Sequence, residues 1–133
     1  MQNVHHVSVY IARPPGEVYE FASNGENLPR WAAGLARSAV KREGDAWMMD
    51  APFGKAEVRF AERNSLGVID HDVTLESGVT FHNPMRVVAH GEGSEFVFTL
   101  FRQPEMSDEQ FAADKEAVKK DLQTLKDLLE QSV

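Results

Sequence analysis

The chain ends in SDEQFAADKEAVKKDLQTLKDLLEQSV, which begins at Ser107 and reads as one long amphipathic helix. Phe111, Val118, Leu122, Leu125 and Leu129 recur at steps of three, four or seven, which places them on one stripe. Ser107 and Gln110 have the spacing of a capping box, in which hydroxyl and amide satisfy exposed backbone donors. Asp108 and Glu109 fall in the first turn, where the helix dipole favours anions. At about 1.5 Å per residue such a helix is roughly 35 Å long, enough to cross a small domain. A stripe of about three heptads is also compatible with a coiled coil. The preceding strands need a cover, however, and no other helix is long enough to supply it. The sequence therefore predicts an α+β domain in which this helix lies on the concave face of a curved antiparallel sheet. A helix held that way leaves a hollow beneath it.

The rest of the chain reads mainly as strands and turns. Val4 to Ile11 alternates, with Val7, Val9 and Ile11 on one face and His6, Ser8 and Tyr10 on the other. Arg13-Pro14-Pro15-Gly16 stops that strand and opens a short helix carrying Val18, Tyr19, Phe21 and Ala22. Ser23-Asn24-Gly25 ends it, and Glu26 to Trp31 reads as a second helical turn interrupted by Pro29. From Leu35 onward turn residues separate alternating segments. Turns are read at Glu43-Gly44-Asp45, Phe53-Gly54-Lys55 and Glu76-Ser77-Gly78, with a loop at Asn64 to Gly67. Strands are read through Trp47–Ala51, Ala56–Phe60, Val68–Leu75, Val79–Ala89 and Glu95–Arg102, and Gln103-Pro104 terminates the sheet. No repeat, linker or low-complexity tract divides the chain, so 1–133 is expected to be one domain.

Composition removes several classes of function. A chain of 133 residues buries enough surface to need no staple. Cysteine is absent, which excludes a disulfide framework, a thiolate metal site and a cysteine nucleophile. Net charge is −7, which disfavours nucleic acid and anionic membranes as partners. The start has no basic segment followed by an apolar core, and no apolar run approaches the ~20 residues of a membrane span. The expectation is a soluble cytoplasmic protein without membrane insertion; a homodimer is compatible with the sequence.

Four stretches carry a family resemblance: VSVYIARPPGEVYEFASN, ENLPRWAAGL, GVIDHDVTL and MSDEQFAADKEAVKKDLQTLKDLLE. In this order they resemble the START-like superfamily, also called the birch-pollen-allergen or SRPBCC fold, and within it the polyketide cyclase/dehydrase-like branch. The resemblance spans essentially the whole chain. It implies a helix-grip fold: a curved antiparallel sheet of about seven strands wrapped around a long C-terminal helix, with two short helices after the first strand. Members of the superfamily carry lipids and sterols, cyclise aromatic polyketides, bind hormones or quinones, or act as co-chaperones. The fold alone does not choose among these.

Counting across the Glu76-Ser77-Gly78 loop gives a register. If Leu75 faces Val79, then Val73 faces Phe81, His71 faces Asn83 and Ile69 faces Met85. Ile69, Val73, Leu75, Val79, Phe81, Met85 and Val87 then share an apolar face, with His71 and Asn83 as polar intruders. Asp70, Asp72, Thr74, Thr80, His82 and Arg86 fall on the solvent side. A two-residue turn at Ser77-Gly78 would set Phe81 and Met85 opposite Thr74 and Asp70, and ranks lower.

His71 and Asn83 have two readings. They satisfy each other as ordinary buried polar residues, or they orient a ligand carbonyl or hydroxyl in an apolar cavity. In the sharper form His71 is a catalytic acid or base for enolisation. Trp31, Trp47, Met49, Phe60, Phe81, Met85 and Phe98 are candidate walls, or ordinary core. In the last strand either Phe96, Phe98 and Leu100 or Val97, Thr99 and Phe101 point inward.

No metal site is expected. His5 and His6 point to opposite faces, and His71, His82 and His90 form no ligand spacing. Alternation sends Asp70 and Asp72 away from His71. Gly91-Glu92-Gly93 precedes no helix that could hold a phosphate, and Ser8, Ser38 and Ser65 lack a nucleophile elbow. No cofactor is implied. The function that fits best is binding of a small hydrophobic or aromatic ligand, lipid-, polyketide- or quinone-like, between sheet and C-terminal helix. Alternatives are a cyclase, dehydratase or isomerase of an aromatic or polyketide-like substrate using His71, and a co-chaperone-like protein-interaction module.

Overall fold

The computed structural model describes residues 3–32, 40–51 and 54–131. Strand β1 (Val4–Ile11) is followed by helix α1 (Pro15–Ala22), a 3₁₀ turn at Gly25–Asn27 and the short helix α2 (Leu28–Trp31). Strands β2 (Lys41–Glu43), β3 (Ala46–Ala51), β4 (Gly54–Phe60), β5 (His71–Leu75), β6 (Thr80–Asn83), β7 (Met85–His90) and β8 (Gly93–Phe101) come next. Helix α3 (Asp108–Gln131) closes the chain. The expected segment from Leu35 to residue 39, Ser38 included, lies outside the described residues, as does Phe53 of the expected turn.

Among the described residues all pairings are antiparallel, in the orders β1-β8-β7 and β2-β3-β4-β5-β6. This is the helix-grip arrangement of an α+β domain, with one correction. The stretch from Val79 to Ala89 is not a single strand. Alternation runs through it unbroken, but Pro84 has no N–H and cannot extend a ladder. The chain therefore changes partner there. β6 pairs with β5 and β7 pairs with β8, so among the described residues the strands fall into two sheets that meet at this corner. Backbone bonds hold them together there. Ile69 N–H donates to the Met85 carbonyl at 2.8 Å, Val87 N–H to Gly67 at 2.9 Å and Thr99 N–H to Pro84 at 2.9 Å.

The register across the β5–β6 hairpin is the one expected. Leu75 N–H donates to the Val79 carbonyl, and His71 and Val73 stand opposite Asn83 and Phe81. Gly78 has φ of +92°, a conformation open to glycine and strained for other residues. One member of the apolar face departs from expectation: Val79, at the hairpin tip, is half exposed. On the outer face Thr74 bonds Thr80, His82 bonds Asp72 at 2.6 Å, and Arg86 holds both oxygens of Asp70. Asp70 also accepts from Met85 N–H at 3.0 Å, which ties β5 to the start of β7 across the corner.

Helix α3 starts as its capping box directs. Gln110 N–H donates to Ser107 Oγ and Ser107 N–H to Gln110 Oε1. Phe111, Leu122, Leu125 and Leu129 are buried and Val118 half buried, so the stripe faces the core. The helix packs on β1, β8 and α2. Pro29 does not interrupt α2 but stands in its first turn, where a missing N–H is harmless. In β8, Phe96 is fully buried and Phe98 and Leu100 lie on the same face, which settles the direction of the last strand.

Candidate functional site

A cavity of about 240 Å³ opens between the sheet and α3. Its floor is His71 and Val73 of β5, Asn83 of β6, Met85 of β7, and Phe98 and Leu100 of β8. One end is closed by Leu28 and Trp31 of α2 and by Ala32 just after it. The roof is the flank of α3, with Asp114, Ala117, Val118, Asp121 and Leu122. Ala117 is exposed and Asp114 half buried, so the mouth lies along the helix flank.

His71 is held by strand alternation on the concave face, 5% exposed, beside Phe60 on β4 and edge-on to Phe98 on β8. Its hydrogen bond runs to the carbonyl of Ile69, 3.4 Å from Nδ1, and not to Asn83. A carbonyl only accepts, so Nδ1 carries the proton and the neutral ring keeps Nε2 as its acceptor. Burial pushes the imidazole pKa down to about 4, against weaker upward pulls from the Ile69 carbonyl, Asp70 and Asp72. The mutual pairing of His71 and Asn83 is thus corrected. The two stand opposite in register, yet the Asn83 amide makes no hydrogen bond among the described residues.

Two further lining residues carry polar groups. Trp31 is 4% exposed, with its ring edge-on to Phe96, and its buried indole N–H has no partner among the described residues. Such an orphan donor is uncommon in a native fold. Asp114 has no ion-pair partner among the described residues, and burial alone raises its carboxyl pKa. Sequence reasoning missed both aspartates. Their signal was available: Asp114 and Asp121 are one heptad apart, on the flank of the apolar stripe.

Of the nine residues singled out, the structure brings Trp31, His71, Asn83, Met85 and Phe98 together around this cavity. Phe60 stands behind His71, with ring centroids 5.5 Å apart. Trp47, Met49 and Phe81 share the concave face but do not border the cavity. Met49 is buried in the core, Phe81 is half buried on the hairpin, and Trp47 covers Gly25 so closely that a Cβ there would overlap the indole. A five-stranded sheet is wider than one helix can cover, so a shared face does not mean a shared cavity. Among the described residues no group of three His, Asp or Glu side chains is placed to hold a metal ion. Nor does any helix there have the length and apolarity to cross a membrane.

A family model described as "Polyketide cyclase / dehydrase and lipid transport" matches residues 3–130. Solved structures share the fold at low sequence identity. The Aha1 dimer from Colwellia psychrerythraea has a TM-score of 0.75 and 15% identity, covering 97% of each chain. Ara h 8.0201 has a TM-score of 0.68 and 11% identity, covering 97% of this chain and 98% of its own. DynU16, from the dynemicin biosynthetic locus, has a TM-score of 0.72 and 15% identity, covering 98% of this chain and 48% of its own. No curated protein matches the sequence.

Proposed function

The chain belongs to the polyketide cyclase / dehydrase and lipid transport family, and from that membership we propose that it binds one small hydrophobic or aromatic molecule between sheet and α3. The observation that carries this reading is the cavity of about 240 Å³, with its apolar walls and few convergent polar groups. Its size narrows the ligand. An apolar cavity of about 150 Å³ takes benzene, so this one takes a molecule of about ten non-hydrogen atoms. One or two fused rings fit within it.

The acid–base alternative draws less support. With its pKa near 4, His71 is not an imidazolium at neutral pH and cannot serve as a general acid, and it is a weak base for enolisation. His71 and Asn83 serve better as hydrogen-bonding partners that fix a ligand's orientation.

Titration with 2-naphthol, followed by tryptophan fluorescence, tests the proposal. Ala117 lines the mouth, whereas Ala112 is exposed and away from it. Saturable binding that is lost in Ala117→Trp and kept in Ala112→Trp is the expected result. Equal binding by both variants places the ligand elsewhere and overturns the reading.

A further inference from the structure

Resting on that reading of the cavity, we propose that its occupant is a neutral hydroxyl compound, a phenol or aromatic alcohol whose O–H donates to Nε2 of His71, and that ketones and quinones of the same size are poorer ligands. The fold uses one ring nitrogen and leaves the other. Nδ1 gives its proton to the Ile69 carbonyl, within the strand's own backbone. Nε2 lies on the far side of the ring and makes no hydrogen bond among the described residues. The Trp31 indole nitrogen is walled off from the space, whereas Nε2 is not among the atoms closed in that way. It therefore opens on the cavity from a residue that lines it and is only 5% exposed. Burial keeps the ring uncharged at neutral pH, so Nε2 stays an acceptor and does not become a donor that a carbonyl would suit.

The walls next to it offer no proton. Phe60, Val73, Met85 and Phe98 have no side-chain N–H or O–H. Asn83 stands opposite on β6, where same-face Cβ atoms of an antiparallel pair lie about 4.5–5.5 Å apart. Its amide does not bond the ring, so both groups stay open to one guest. A hydroxyl answers both: it donates to Nε2 and accepts from the Asn83 amide. A carbonyl oxygen answers Asn83 alone and leaves a buried acceptor without a donor, which costs free energy. A carboxylate fails for a second reason. Among the described residues no lysine or arginine borders the cavity, and Asp114 and Asp121 on its flank would meet it with like charge.

Two matched pairs of ligands test this by calorimetry at pH 7. In 2-naphthol and 2-fluoronaphthalene the donor is removed at constant shape; in 1-indanol and 1-indanone it is exchanged for an acceptor. In wild type each hydroxyl compound should bind about three to ten times tighter than its partner. His71→Phe should close both gaps while 2-fluoronaphthalene keeps its affinity. Equal binding within the pairs, or gaps that survive His71→Phe, overturns this inference. If Ala117→Trp still blocks 2-fluoronaphthalene in that case, the binding reading stands. The wild-type comparisons need no variant and decide the matter should His71→Phe fail to fold. If none of the four binds, or if Ala117→Trp leaves their binding untouched, the cavity reading has failed and this inference falls with it.

Discussion

At pH 7 the His71 ring is held uncharged beside Phe60 and Phe98, with one long hydrogen bond to a backbone carbonyl. Its basicity is depressed from 6.5 to about 4, chiefly by burial. Between those values the unfolded chain takes up a proton that the folded chain refuses. The contribution of the neutral ring is therefore complete above pH 6.5 and falls as the pH drops toward 4. From pH 7 to pH 5 the loss attributable to this residue is about 2 kcal/mol. Urea unfolding of wild type and His71→Phe at both pH values measures it. The variant should lose about 2 kcal/mol less than wild type over that interval; equal losses would show that the ring titrates normally. The position of His71 was legible from sequence, because turn chemistry fixed the register and alternation fixed the face. Its partner was not. Register places Asn83 opposite, but the direction of a ring nitrogen depends on side-chain torsions that no spacing encodes.

Single elements differ in how openly the sequence declares them. Helix α3 carries its own start signal, and Ser107 and Gln110 form the reciprocal pair their spacing predicts. Ser107→Ala should cost about 1 kcal/mol and Ser107→Gly only a few tenths, read as a shift in the urea midpoint. Equal losses in the two variants would argue that the hydroxyl does not cap the helix. The break at Pro84 was harder to read, because Phe81, Asn83, Met85 and Val87 keep their alternation through it. The signal was the proline itself, whose missing N–H lets the chain change partner. Asp70 secures that corner, accepting from Met85 N–H and twice from Arg86. Those bonds hold its carboxyl pKa below the ordinary value, the Arg86 bond most of all. Its contribution is present above the ordinary carboxylate pKa and is lost as the pH falls through the lowered one. Asp70→Asn should cost roughly 1–3 kcal/mol at pH 7, with the difference from wild type shrinking in acid. A variant as stable as wild type at pH 7 would mean that the backbone bonds alone hold the corner.

For the molecule as a whole, the order of elements declared the architecture, since a long amphipathic helix and a run of alternating strands have few ways to cover each other. The volume left between them is a different kind of quantity. It depends on how far α3 stands from β5 and β8, and on how α2 closes one end; both emerge from packing rather than from pattern. Hence Trp31, Met85 and Phe98 were found at the cavity, whereas Trp47 and Phe81, equal to them in character and facing, were not. Unfilled space in a fold is stability forgone. Val118 is a half-buried α3 residue that borders the cavity. Val118→Leu adds one methylene toward the space and exchanges a β-branched residue for a better helix former. Without ligand the variant should be more stable by about 0.5–1 kcal/mol in urea, and it should bind 2-naphthol more weakly. Stability gained and affinity lost in one substitution is the signature of room kept for a guest. A destabilised variant would mean that the methylene met atoms already in contact, and that the space beneath the helix is not available to a ligand.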